Sequence, residues 1–373
     1  MIYLDYNATT PLAPEALAAM LPHLETRFGN PSSIHRAGRD ARAAVDDARD
    51  RIAGLLGARP HEIIFTGGGT ESDNLAVIGL ARAGKGRHLI TTRAEHHAVL
   101  QAFEHLERRE GFAVTYLPID HSGRIDVSQL GDAIRPETTL VSIMSANNET
   151  GTRQPVVEAA RLCRERGVLF HCDAIQSFGK EALPVAQFDA FSLAAHKFYG
   201  PKGAGLLYLR SGLTLERLQH GGSHESERRP GTENVAAIAG MAAAAEAILP
   251  GMAGEQERQG ALRDRLWEGV HRAAPDAVMN GHPSEKLANT LNVSFPGIDG
   301  EGLLMNLDLA GVCASSGSAC LAGSIVPSHV LMAMGASQEL ARSTVRFSLG
   351  KGTTVEEIDA TVAVLPEILE RLG

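Results

Sequence analysis

Short apolar runs alternate with amphipathic stretches through the first two thirds of the chain. "EIIFTGGG" (62–69) is apolar until it reaches three glycines, the pattern of a buried strand entering a turn. "ESDNLAVIGLARAG" (71–84) follows with helical spacing, "HLITT" (88–92) reads as a strand, and "HHAVLQAFEHLERREG" (96–111) as a helix. "AVTYLPI" and "TLVSIMSAN" read as strands, "PVVEAARLCRERG" as a helix, and "VLFHCDA", "FDAFSLAA" and "GAGLLYL" as further strands. Upstream, "SIHRAGRDARAAVDDARDRIAGLLG" (33–57) repeats its apolar positions at helical spacing, with Gly57 as the stop. Continuous apolar runs separated by amphipathic helices predict an α/β fold, a largely parallel sheet covered on both faces.

The pattern changes near residue 251. A polar helix, "GEQERQGALRDRLWEGVHRAAP", leads into "LANTLNVSFPG", a strand whose residues alternate. "EGLLMNLDLAG" is a helix, "STVRFSLG" a strand and "TVEEIDATVAVLPEILERLG" a terminal helix. This mixture predicts a smaller α+β domain, divided from the first at the breaker cluster "LPGMAG" (249–254). The alanine run 242–245 reads as helix. With 373 residues, two domains are expected.

Composition removes several function classes. The net charge of −9 opposes nucleic-acid binding, which needs a basic face to neutralise phosphates. Four cysteines, at 163, 172, 313 and 320, include no CxxC pair and no zinc spacing, so no metal site is expected. Their number in so long a chain predicts reduced thiols in a cytoplasmic protein. "MIYLDYNATTPL" lacks a basic segment followed by an apolar one, and no apolar run spans a bilayer, so neither a signal peptide nor membrane insertion is expected.

Three segments carry candidate chemistry. In "TGGGTESDN" (66–74) a strand gives way to glycines and then a helix start, whose free N–H groups and positive dipole end suit a phosphate. It is neither a P-loop nor GxGxxG. The alternative is a plain strand–helix turn with Thr70 as N-cap. Asp173 closes the strand of "VLFHCDAIQSFGK", where open α/β sheets gather ligands; a loop or capping aspartate is the plainer reading. Lys197 ends the apolar run of "AAHKFYGPKGAGLLY". An amine at a buried strand end loses hydration, which favours its neutral, nucleophilic form. A phosphate cradle, a strand-end carboxylate and a strand-end lysine are together the three groups that pyridoxal 5'-phosphate requires.

The ordered motifs "YLDYNATTP", "GNPSSIH", "FTGGGTESDN", "EHHAVL", "ANNETG", "HCDAIQ", "AHKFYGPKG", "RPGTEN", "SSGSAC" and "VRFSLG" make the sequence resemble a cysteine desulfurase of the NifS/IscS type, within the class V aminotransferases. The resemblance covers essentially the whole chain. It implies the fold type I of pyridoxal-phosphate-dependent transferases, with a large cofactor-binding domain over 15–253. A small domain of 1–14 and 254–373 is implied to carry the catalytic cysteine loop.

Position by position, the resemblance implies that Lys197 carries the cofactor imine, Asp173 pairs with the pyridine nitrogen and Gln176 bonds the ring hydroxyl. His96 stacks on the ring and moves protons, with His97 as the alternative stacking residue. Asn148 contacts cofactor or substrate. Gly69, Thr70 and His196 hold the phosphate, and Thr232 reaches the phosphate of the other subunit of a homodimer. Asn30 and Arg346 bind the substrate carboxylate, a structural ion pair being the alternative for Arg346. Family members commonly read Ser-Ala-His-Lys where this chain has Ala194-Ala195-His196-Lys197, which removes one hydroxyl from the implied phosphate site. Pro230 stands where serine or alanine is usual.

Cys320 separates a desulfurase from its relatives. It sits among small residues in "SSGSACLAGS", the composition of an exposed loop. The resemblance implies that L-cysteine becomes L-alanine while Cys320 takes the sulfur as a persulfide. A sulfur acceptor protein, such as an iron–sulfur scaffold, would then collect it. The rival readings are a selenocysteine lyase, another class V aminotransferase, or a regulatory protein that uses the glycine loop without chemistry.

Overall fold

The computed structural model describes residues 1–316 and 327–373. The chain opens with strand β1 (Ile2–Tyr3), helix α1 (Pro14–Glu25) and helix α2 (Arg36–Leu56). Strands and helices then alternate: β2 (Ile63–Thr66), α3 (Gly69–Ala83), β3 (His88–Thr92), α4 (His97–Glu110), β4 (Ala113–Leu117), α5 (Val127–Ala133), β5 (Thr138–Ser142), α6 (Val156–Glu165) and β6 (Leu169–Asp173). β7 (Ala190–Ala194), β8 (Gly205–Leu209) and α7 (Val235–Ile248) complete this half. The rest comprises α8 (Met252–Ala273), β9 (Val278–Asn280), β10 (Thr290–Ser294), α9 (Gly300–Leu309), β11 (Val312–Cys313), α10 (His329–Ala333), α11 (Gln338–Arg342), β12 (Thr344–Ser348) and α12 (Val355–Leu372).

Seven strands form the central sheet in the order β2-β8-β7-β6-β5-β3-β4. Only β8 runs against its neighbours, so the mainly parallel sheet expected from the apolar runs is present. Every residue of β2, β3, β5, β7 and β8 is buried, because helices cover both faces. α2 shows how the pattern builds a cover: Ala41, Val45, Ala48, Ile52 and Leu56 form its buried stripe. His35 caps its start by accepting the Gly38 N–H, and Gly57 ends it in the left-handed conformation, φ 64°. The alanines of α7 are buried nearly all round, which suits a helix wedged against α1 and α2.

A second, three-stranded antiparallel sheet has the order β12-β10-β9, and β1 pairs parallel with β11. Its apolar cluster joins Leu4 from the chain start to Leu262, Leu266, Val293, Phe347 and Leu365. β10 departs from expectation. All five of its residues are buried, although they alternate in polarity. The polar face is covered because it meets the loops of the large sheet: Asn7 Nδ2 donates to Thr290 Oγ1 (2.9 Å), and Asn292 Nδ2 to the Glu149 carbonyl (3.2 Å). Among the described residues, no single helix is long and apolar enough to cross a membrane.

Candidate active site

The carboxyl ends of the parallel strands converge on a cavity of about 350 Å³. Open sheets bind ligands at this edge because the loops leaving successive strands diverge there. Gly69, Thr70, His96, Asn148, Asp173, Gln176, His196, Lys197 and Arg346 all line it.

At one end lies the first turn of α3. The helix begins at Gly69 with Gly68 as its cap, so Thr70 is inside the first turn and is not the N-cap. N–H groups there have no intrahelical acceptor and present a partial positive charge. Gly69 packs closely on Ile175: a Cβ would come within 2.3 Å of Ile175 Cδ1, so that side chain would have to move. At Gly205 of β8, a Cβ would lie 2.5 Å from the Gly68 backbone. Gly69, Thr70 and His196 also line a larger adjoining cavity of about 760 Å³, which carries Lys202, Arg228 and Arg229. Helix start and cations make this end fit an anion.

Asp173 ends β6 and is 5 % exposed. Among the described residues its side chain takes one hydrogen bond, from the Ile175 N–H to Oδ1 (3.0 Å). Burial pushes its carboxyl up from the usual carboxylate range, while the Ile175 N–H and Lys197 oppose the shift. A buried, under-solvated carboxylate is a receptor for a cationic N–H. Lys197 sits in the single turn that follows β7. Its Nζ donates to the carbonyls of Asn7 (2.6 Å) and Ala8 (2.9 Å). Burial, helped by the Arg346 charge, lowers its pKa to about 8 against the pull of Asp173 and Asp5. A useful fraction of the amine is therefore neutral and nucleophilic near neutral pH.

His96 caps α4, its Nδ1 accepting the Ala98 N–H (3.1 Å). The neutral ring must then carry its proton on Nε2. Burial, with Lys197 and the neighbouring histidines, lowers its pKa to about 4. His196 is lowered to about 4 by burial, with Nδ1 3.2 Å from Thr9 Oγ1. Gln176 donates Nε2 to the Asn7 carbonyl (3.0 Å). Arg346, on β12, donates Nη2 to Asp5 Oδ1 (2.7 Å) and Nη1 to the Asn148 carbonyl (2.9 Å). Among the described residues its Nε is buried without a partner. The ion pair posed as the alternative is thus formed, and the guanidinium also lines the cavity.

A phosphate-type cradle, a buried carboxylate and an amine of lowered pKa occupy one cavity, so the donor set fits pyridoxal 5'-phosphate. The class-V aminotransferase family model matches residues 2–361.

The chain belongs to the class-V aminotransferase family.

Among relatives of this class-V aminotransferase, cysteine desulfurase IscS of Dictyoglomus turgidum is 48% identical over 375 residues, spanning 100% of this chain and 95% of the relative. The human cysteine desulfurase is 45% identical over 378 residues, spanning 100% of this chain and 82% of that protein. A solved structure named NifS-like protein superposes with a TM-score of 0.93 at 37% identity, covering 100% of both chains. SspA in complex with cysteine gives a TM-score of 0.83 at 39% identity, covering 94% of this chain and 99% of the other. These likenesses place the chain with the cysteine desulfurases of the NifS/IscS type, and its cofactor is pyridoxal 5'-phosphate.

Two expected site residues stand apart from the cavity of this class-V enzyme. Asn30 is exposed between α1 and α2 and does not line it. Thr232 lines a separate cavity of about 180 Å³ together with Gly67, Arg229 and Glu233. Cys320 lies outside the described residues. Conversely, Asp5, Asn7, Glu149 and His329 act at the site without having been singled out. Asp5 and Asn7 stood within the "YLDYNATTP" motif, so a signal existed; His329 offered none, and only the fold brings its ring to 4.6 Å from that of His97.

Proposed function

We propose that this protein converts L-cysteine to L-alanine as a pyridoxal-phosphate-dependent cysteine desulfurase, holding the sulfur on Cys320. The observation that carries this reading is Lys197, an amine held near neutrality in the cavity that also contains Asp173. When bound, the cofactor supplies an electron sink conjugated to the substrate's α-carbon.

The chain's own groups divide the remaining work. Lys197 would hold the cofactor through its aldehyde, and its Nζ, with a lowered pKa, would serve as the base for the substrate α-proton. Asp173 would pair with the ring nitrogen. His96 stays neutral throughout the physiological range and serves as a stacking face with an Nε2–H donor. Gln176 offers its amide to the ring hydroxyl. The Asn148 carbonyl positions the Arg346 guanidinium at the cavity wall, where it would take the substrate carboxylate. The first turn of α3, with Thr70 and His196, holds the phosphate; Ala194, beside Gly69, adds no hydroxyl there.

Of the four thiols, Cys163 is pushed up to about 12 by burial and Cys172 is also raised by burial, so neither is a ready nucleophile. Cys320 is assigned the transfer. Its thiolate forms an S–S bond to the substrate sulfur as the Cβ–S bond breaks; that bond's electron pair stays on the carbon side, and Cβ gains a proton. Alanine leaves, and the persulfide passes to an acceptor protein such as an iron–sulfur scaffold. A homodimer is assigned in which Thr232 serves the phosphate of the partner's site. Leu17, Leu21, Leu24, Phe28 and Ile34 are exposed apolar residues that support it. The cytoplasm is the assigned compartment.

The test is Cys320→Ser. This variant keeps the yellow absorption of the bound cofactor and forms no persulfide from cysteine. Full sulfide release by Cys320→Ser defeats the assignment of the thiol.

A further inference from the structure

Lys180 is a second lysine next to the site, in the loop after β6, and the chemistry above gives it no task. Its Nζ donates to Gln176 Oε1 (3.0 Å) and Asn7 Oδ1 (3.4 Å). An ammonium only donates, so the atom it meets on each amide must be the oxygen. That contact fixes which way the Gln176 amide faces; the Asn7 oxygen is shared with Asn289 Nδ2 (2.9 Å). Gln176 turns its NH₂ to the Asn7 carbonyl, and Asn7 turns its NH₂ to Thr290 Oγ1 and the Asn148 carbonyl. The same Asn7 carbonyl receives Lys197 Nζ. Two amides, two lysines and one carbonyl therefore form a connected set with Lys180 at its far end.

We propose that Lys180 is a positioning residue for cofactor chemistry: its ammonium holds the Gln176 amide with NH₂ on the Asn7 carbonyl, the acceptor on which Lys197 also rests. The inference rests on the pyridoxal-phosphate reading of the site and goes beyond it by assigning a residue outside the cavity lining.

The electrostatic surroundings give Lys180 a second consequence. Burial lowers its pKa to about 7, with Lys197 and Arg346 adding repulsion and Glu181 opposing them. Glu181 is itself drawn to Arg153 (3.6 Å). The remaining titratable groups facing this side are Glu255, Lys351, Tyr6 and Tyr199, which line the small cavity beside Lys180. Glu255 is held by Arg258 at 2.7 Å. A charge on Lys180 thus acts on the protonation of the Lys197 nitrogen, disfavouring its cationic form.

Two readouts separate positioning from mere packing. The first is the dissociation constant for pyridoxal phosphate, titrated into cofactor-free protein. Lys180→Met and Gln176→Ala each weaken binding by about 10-fold, and the double variant is little weaker than the worse single, since both remove one interaction. Multiplicative losses in the double variant overturn the proposal. The second is the pH midpoint of the yellow band in the loaded protein. Lys180→Met moves it up and Lys180→Arg, a permanent charge, moves it down, the two differing by at least about half a pH unit. Shifts in the same direction mean that Lys180 only fills space, and the proposal fails. Should Lys180→Met not fold, wild type against Lys180→Arg keeps the test, and an unchanged midpoint defeats it. Colour without alanine from cysteine defeats the desulfurase reading alone and leaves both Lys180 readouts standing.

Discussion

The cavity has two unlike walls. One is the edge of the large sheet, where Asp173, Lys197 and His96 hang from strand ends and helix starts. The other brings together the two ends of the chain: Asp5 meets Arg346 across 341 positions, and Asn7 reaches Thr290 across 283. On the sheet wall, burial tunes protonation, raising Asp173 and lowering Lys197 and His96. On the terminal wall, charges are paired and carbonyls are aimed: Arg346 meets Asp5 and the Asn148 carbonyl. On the function proposed above, the sheet wall would carry the chemistry and the terminal wall would hold the substrate carboxylate.

That division is open to breakage. The largest effect is expected on the sheet wall: Lys197→Ala loses the yellow band and lowers cysteine turnover by about 10⁴-fold, the upper range for a positioned proton-transfer group. Absorption spectra with an alanine assay check both. Asp173→Asn is next, with turnover down by about 10²–10³-fold and a changed absorption spectrum, because an amide cannot hold the ring nitrogen protonated. Arg346→Ala should leave the colour in place and raise KM for cysteine by about 10–100-fold, the size of a lost charge-assisted hydrogen bond. If Arg346→Ala removed the colour as completely as Lys197→Ala, the two walls would not be separable.

The division also explains what the sequence made legible. The sheet wall follows from local pattern: an apolar run ending in Asp173, another ending near Lys197, glycines before a helix. The terminal wall depends on pairings hundreds of residues apart, so Arg346 emerged with an ion pair as its alternative, and Asp5 and Asn7 went unassigned although their motif was visible. β10 is the instructive strand. Thr290, Asn292 and Ser294 form its polar face, which alternation marks for solvent, yet they are buried because that face docks on the loops of the large sheet. α1 is absent from the expected elements; Pro22 interrupts its sequence and Leu17, Leu21 and Leu24 point outward.

A smaller effect tests the burial argument itself. The folded protein keeps the Lys197 amine neutral above about pH 8, whereas the unfolded chain keeps it protonated to about 10.5. Between those values the unfolded state binds the extra proton, so Lys197 makes stability rise with pH there; below about 8 its burial penalty is felt in full. Cofactor uptake by cofactor-free protein, which needs the neutral amine, should accelerate with pH up to about 8 and then level off. Acceleration continuing toward pH 10 identifies an ordinary, hydrated lysine and removes the physical basis of the sheet wall.

The most direct measurement is a single-turnover experiment with loaded wild-type protein and L-cysteine, counting alanine released and sulfur retained on the protein. One persulfide on Cys320 per alanine is the predicted result. Alanine absent, or a keto acid formed with no sulfur on the protein, contradicts the desulfurase assignment.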